Sequence, residues 1–173
     1  MIRPCTDADF AAILTIVNEA AQVYRGAIPA DCWHEPYMSR SSLAAEIAAG
    51  VDFSGWEESG GLLGVMGLQR VREVTLIRHA YVLSTHQGRG IGGVLLDALA
   101  EQTTGPLLVG TWAAATWAIR FYQGHGFRLV SPEEKDRLLD AYWTISLRQR
   151  ETSVVLLHHP AARPSPKAEP GST

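Results

Sequence analysis

Cysteine is almost absent from this chain: Cys5 and Cys32 are the only two among 173 residues. Two thiols so placed make neither a disulfide framework nor a zinc site. Both read as small, partly buried side chains in a reducing, cytoplasmic setting. Long apolar runs are missing too. Nothing approaches the ~18 residues of a membrane span, and the opening stretch MIRPCTDADF lacks the apolar centre of a signal peptide. Charge of one sign is also lacking, since 15 Lys and Arg stand against 18 Asp and Glu for a net charge of −3 at pH 7. Without a basic block, nucleic acid and an anionic membrane are excluded as expected partners. His34, His86 and His125 stand apart, His158 and His159 sit near the chain end, and none has metal-ligand spacing. No metal is expected.

What remains is an ordinary globular composition, 46% hydrophobic and 19% charged, which supports one core without staples. A single domain is expected over residues 1–159. The stretch PAARPSPKAEPGST, 160–173, has almost nothing large and apolar to offset its ordering entropy and is expected to be disordered. IRPCT reads as a short strand, and Thr6 with Asp9 gives a capping-box pattern. Phe10, Ile13, Leu14, Val17, Ala21 and Tyr24 then recur at helical spacing, predicting a helix over roughly 7–24. Gly26, Pro29 and Pro36 interrupt it, and a second helix over 41–50 closes at Gly50. VDFSGWEE, GLLGVMGLQR and VTLIRHAYVL read as successive strands, with ESGG turning between the first two. A helix over about 91–102 follows, then the apolar strand PLLVGTW, the helix TWAIRFYQGHG and the strand FRLV. A helix start at Ser131-Pro132 and the late strand TSVVLLH complete the chain. The fold class is α/β (α+β): a meander feeding a crossover, in a mixed sheet with flanking helices.

Between the meander and the first crossover helix lies THQGRGIGGVLLDAL, with four glycines in QGRGIGG. Gly88, Gly90 and Gly93 satisfy a dinucleotide pattern, but that pattern wants the first strand of a βαβ unit before it and an acid about 20 residues later. A meander precedes it here, and LLVGTWA supplies no acid. A Walker loop fails outright, because no lysine follows the glycines. The third reading is an anion nest at a helix N-terminus, where unpaired amides converge and missing Cβ atoms let a bulky diphosphate approach.

Gln87, Gly90 and Gly92 spell Q-x-x-G-x-G, and WAIRFYQGHGF carries Tyr122 four residues before Gly126-Phe127. In this order the two stretches resemble the GNAT family of N-acetyltransferases, and the likeness runs from Ile2 to His158. The resemblance implies a three-layer fold around a central mixed, mostly antiparallel sheet. It also implies transfer of an acetyl group from acetyl-CoA directly to a primary amine in a ternary complex. The pyrophosphate would then rest on Gln87, Gly88, Arg89, Gly90, Ile91, Gly92 and Gly93, and the pantetheine arm along the main chain of Tyr81, Val82 and Leu83. Tyr122 would be the general acid for the departing thiolate, close to the cofactor. The family's usual Asn near the start of the second motif is Ala115 here, so Thr116 is expected to cap that helix instead.

Catalysis also needs a base, because an alkylammonium with a pKa of ~10.4 is hardly nucleophilic at neutral pH. His79, on the strand entering the loop, is the candidate; a satisfied strand histidine is the other reading. Strict alternation puts His79 and Tyr81 on one face, with Arg78 and Ala80 on the other. Tyr24, Trp33 and His79 are the expected acceptor contacts, with Trp56 as a further aromatic and Glu35 and Glu58 to attract a cationic amine. The expected acceptor is a small-molecule amine. RQRETSVVLL, as an exposed late strand, leads to the expectation of a homodimer. A non-catalytic acyl-CoA-binding or sensor module, and a transferase of a different acyl group, stay open.

Overall fold

The computed structural model describes residues 1–159, so the expectation of a disordered tail over 160–173 lies outside the described residues. Seven strands form one sheet in the order β1-β2-β3-β4-β5-β7-β6. They are β1 (Ile2–Pro4), β2 (Val51–Glu58), β3 (Gly61–Val71), β4 (Val74–Val82), β5 (Leu107–Trp112), β6 (Arg128–Leu129) and β7 (Ser153–His158). Short turns join β2, β3 and β4, which forces antiparallel pairing. The longer crossover from β4 to β5 allows the one parallel pair.

Helices cover both faces. α1 (Phe10–Ala20), α2 (Arg40–Ala48) and α5 (Pro132–Tyr142) lie on one side, α3 (Ile91–Ala100) and α4 (Thr116–Gly124) on the other, and a short α6 (Leu147–Glu151) leads into β7. The alternation of the strands explains the layering. Val65 turns into the core beneath α1 and α2, while its neighbour Met66 turns into the core beneath α3 and α4. The expected helix signals operate locally. Ser131 Oγ accepts from the Glu134 amide at 3.2 Å ahead of Pro132, and Gly50 takes a φ of +91° just beyond α2. Two expectations are amended. FRLV keeps only two strand residues, since β6 pairs with β7 at Arg128 and Leu129 alone, and all of RQRE is helical rather than extended.

Two irregularities in the sheet decide where chemistry can occur. The first is a bulge on β4. Val65 opposes Tyr81 and Gly67 opposes Arg78, so Met66 faces both His79 and Ala80. His79 carries the extra residue at a φ of +51°, a left-handed backbone in which non-glycine residues are uncommon. The bulge breaks the strict alternation expected from sequence. Arg78 does not share a side with Ala80: it joins His79 on the α2 face, where both reach Glu46.

The second irregularity is a split. β4 and β5 pair only at Thr75–Leu107, Leu76–Leu108 and Ile77–Val109. Beyond that point β4 stays with β3 as far as Val82, and β5 stays with β7 as far as Trp112. The two strands part, and a gap opens through the sheet.

Candidate active site

A cleft of about 610 Å³ lies on the α3/α4 side of the gap. Its floor is the glycine loop and the start of α3. The amides from Gly88 to Gly93 find no backbone acceptor among the described residues, as expected of a helix start. They form a ready anion cradle, to which the helix dipole adds a modest favourable contribution.

The glycines of this loop have separate duties. Gly88 and Gly90 adopt φ values of +75° and +79°, with open space where a Cβ would lie, so backbone conformation is what requires glycine there. Gly93 is different. A Cβ on it would come within 2.8 Å of His125, so this glycine lets α3 pack against α4. Gly92 faces Phe121 at ordinary contact distance. Diphosphate approach is the expected reason for Gly88, Gly90, Gly92 and Gly93; at Gly93 the missing Cβ also makes room for the His125 ring. Gly90→Val places a β-branched residue at positive φ, a strain of ~1–3 kcal/mol, and crowds the cradle. Coenzyme A binding by calorimetry should weaken at least about tenfold, with the circular dichroism of the fold retained. Undiminished affinity would rule out the cradle.

The gap edge of β4 offers main-chain groups. Leu83 donates its N–H to the Leu63 carbonyl at 2.9 Å and is thereby used within the sheet. Tyr81, two residues before, turns the same way. The Val82 carbonyl points instead into the gap, where the Gln87 side-chain amide donates to it at 3.1 Å. Of Tyr81, Val82 and Leu83, only Val82 turns its main chain to the gap, with its N–H left for an extended ligand and its carbonyl already accepting from Gln87. The Arg89 guanidinium is held by both carboxylate oxygens of Glu58, at 3.0 and 2.9 Å, so the side chain lies beside the cradle to which its amide belongs. Ile91 is buried, anchoring the first turn of α3 in the core.

A smaller cavity of about 170 Å³ lies on the opposite side of the gap. His79, Arg78, Tyr37, Thr111, Trp112 and Trp143 are among its walls. The two cavities meet at Tyr24, Ala80, Tyr81 and Tyr122, which line both. Tyr122 and His79, distant in sequence, are thus brought to one site. Tyr122 is 6% exposed, with its ring set edge-on against Phe121 and Phe127 at 5.1 and 5.4 Å. Burial pushes its phenol well above the ordinary value, so it keeps its proton at neutral pH. Burial likewise raises Tyr24 to about 12, against a hydrogen bond with Thr111 that acts the other way. The Tyr81 hydroxyl donates to that of Tyr37 at 3.1 Å.

Other expected contacts lie elsewhere. Trp33 borders neither cavity; it lies beneath the Arg25 guanidinium and against Tyr37. Glu35 pairs with Arg25 and Glu58 with Arg89, so neither carboxylate waits for an amine. Trp56 packs onto the core beneath α3. Thr116 begins α4 without capping it, because Ala115 occupies the cap position and no side-chain hydrogen bond forms there; Thr116 borders neither cavity. Sequence reasoning missed Glu46, whose place in α2 carries no motif. It also passed over His125, which hydrogen-bonds Asp97 at 2.9 Å beside Gly93. Its position one residue before Gly126 of the second motif was the available signal.

Burial raises the Cys5 thiol to about 11, so it is no nucleophile at neutral pH. Among the described residues no group of three or more His, Cys, Asp or Glu side chains is placed to hold a metal ion, and no helix is long and apolar enough to cross a membrane.

Comparison with known proteins follows the same outline. The acetyltransferase (GNAT) domain family matches residues 51–129, the span from β2 through the cradle to β6. No curated protein matches the chain. Solved structures with this fold include the ribosomal-protein-S18-alanine N-acetyltransferase from Escherichia coli, at 17% identity and a TM-score of 0.66, covering 98% of each chain. The PaiA N-acetyltransferase from Thermoplasma acidophilum, in complex with coenzyme A, has 17% identity and a TM-score of 0.68 over 92% of this chain and 98% of its own. A putative acetyltransferase, YncA, from Salmonella typhimurium, with its cofactor acetyl-CoA, has 20% identity and a TM-score of 0.62 over 97% and 98%. At these identities the likeness establishes the fold.

Proposed function

Residues 51–129 carry a GNAT acetyltransferase domain, and from that premise we propose that this chain transfers an acetyl group from acetyl-CoA to the primary amine of a small-molecule acceptor. The observation that carries the reading is the meeting of two cavities at Tyr24, Ala80, Tyr81 and Tyr122. The larger has the features a nucleotide thioester needs: free amides at a helix start for phosphate, and the Val82 main chain for the pantetheine amides. The smaller supplies a separate chamber for the amine. This layout suits direct transfer, in which both reactants reach one point without a covalent relay.

The residues divide the chemistry. The amides of 88–93 hold the diphosphate, and Val82 aligns the arm. His79 takes a proton from the acceptor ammonium, and Tyr122 gives one to the departing thiolate. A chamber of about 170 Å³ is smaller than the usual ligand pocket of ~300 Å³ or more, and this favours a compact amine. One chain lines both cavities, so the reaction requires no second copy. Its free thiols, Cys5 and Cys32, suit a reducing, cytoplasmic setting.

Thiol release from acetyl-CoA is the test, measured with a broad panel of small amines and with peptides bearing a free N-terminus. Turnover is expected with at least one compact amine. Turnover only with peptides would replace the small-molecule acceptor by a protein terminus. Coenzyme A binding without any thiol release would favour a sensor module, and faster release from propionyl- or succinyl-CoA would change the acyl group.

A further inference from the structure

We propose that Glu46 is a positioning residue for the base, forming with His79 a carboxylate–imidazole couple that fixes which imidazole nitrogen faces the reaction. The inference rests on the transferase reading, and it adds to that reading a residue from α2 that no motif marks.

The geometry leaves the imidazole little freedom. Its Nε2 lies in hydrogen-bond contact with Glu46 Oε2. Its ring is stacked between Phe53 and Tyr81, at centroid distances of 6.2 and 6.5 Å and interplanar angles of 22° and 21°. Only 11% of the side chain is exposed, and His79 still lines the smaller cavity. The left-handed backbone at His79 exists in the bulge that turns it towards α2. Residues held in such conformations cluster at functional sites.

Glu46 is itself held. Arg78 donates to Oε2 at 3.2 Å and, through its other terminal nitrogen, to Gln69 at 2.9 Å. Burial tends to raise the Glu46 carboxyl, but the His79 hydrogen bond and the Arg78 charge overcome it and leave the group below its ordinary value. An ionised carboxylate accepts only, so Nε2 must carry the hydrogen and Nδ1 is left with the lone pair. In the transfer step the acceptor ammonium gives a proton to Nδ1. The freed nitrogen pair bonds to the acetyl carbon, the C–S bond breaks with its pair on sulfur, sulfur takes the Tyr122 proton, and the acylated nitrogen gives up its second proton to restore the Tyr122 hydroxyl. The imidazolium so formed is stabilised by Glu46, as carboxylates stabilise histidine bases elsewhere. The titratable and charged groups around it are Glu46 from α2, Arg78 and Tyr81 from β4, Tyr37 from the preceding loop, and Tyr24 and Tyr122 across the cavity.

The experiment pairs Glu46→Gln, which is nearly isosteric, with Glu46→Asp, which restores the charge. Nitrogen NMR of the imidazole should report the Nε2–H tautomer in the native protein and a mixture in Glu46→Gln; this readout does not depend on turnover. In kinetics, kcat should fall at least about tenfold in Glu46→Gln. Glu46→Asp should recover part of that loss and of the native tautomer. A native tautomer kept in Glu46→Gln would overturn the proposal, and a fall in kcat beside it would mark a merely structural glutamate. If the native protein releases no thiol with any amine, the transferase reading fails, and the tautomer measurement still decides the couple.

Discussion

Tyr122→Phe lowers kcat by about two to four orders of magnitude, the usual worth of a positioned general acid, while coenzyme A affinity stays within about twofold. The ring is core: it packs against Phe121 and Phe127 and belongs to the cluster that includes Met66, Leu95 and Leu156. Phenylalanine keeps all of that packing, so the fold should survive. The hydroxyl lies where the two cavities join, and burial keeps it protonated. That state suits a group whose task is to give a proton to a thiolate whose conjugate thiol has a pKa of ~8.5. Because the phenol is raised, its loss of the proton should add no alkaline limb to kcat below pH ~10. Steady-state thiol release across pH, with calorimetry for coenzyme A, checks both halves. A variant as fast as the native enzyme would remove Tyr122 from the chemistry and leave it as packing.

Leu95→Ala should destabilise the fold by about 3–5 kcal/mol, the range for a fully buried leucine whose cavity cannot collapse. Leu95 is 0% exposed in the middle of α3, surrounded by Met66, Ile77, Leu99, Leu107, Val109 and Leu156. Apart from Leu99 of α3 itself, these partners come from β3, β4, β5 and β7, so the side chain ties the helix that carries the anion cradle to four strands. At a few degrees per kcal/mol for a chain of this size, the thermal midpoint should fall by about 5–20 °C. Thermal unfolding by circular dichroism provides the measurement. A loss below about 1 kcal/mol would mean that α3 is not anchored as described.

How much of this was legible in the sequence differs between local and non-local features. Helix ends declared themselves through Gly50, Ser131-Pro132 and Gly126, because caps depend on one or two side chains near in sequence. The meander was readable from apolar runs split by ESGG. The cradle was readable as well, since its glycines and the following helix are contiguous. The bulge at His79 was not. It depends on how β3 and β4 slide against each other, so an alternation rule put Arg78 on the wrong side. Glu46 escaped for the same reason: its partner lies 33 residues away, and nothing near Glu46 in sequence signals the contact. Gly93 has a second reason to be glycine, His125 just past the end of α4, which nothing near it in sequence signals. The acceptor aromatics were only partly found, since residue type alone cannot separate Tyr24, which lines both cavities, from Trp33, which lines neither.

The short pairing of β4 with β5 has a consequence for traffic. A sheet is ordinarily a wall, with hydrogen-bonded strands closing one face from the other. Here the wall has a doorway, and the proposed donor and acceptor chambers open on opposite sides of it. Spent coenzyme A and acetylated product would therefore leave by separate exits, and neither would need to wait for the other. Such an enzyme is a passage rather than a pouch.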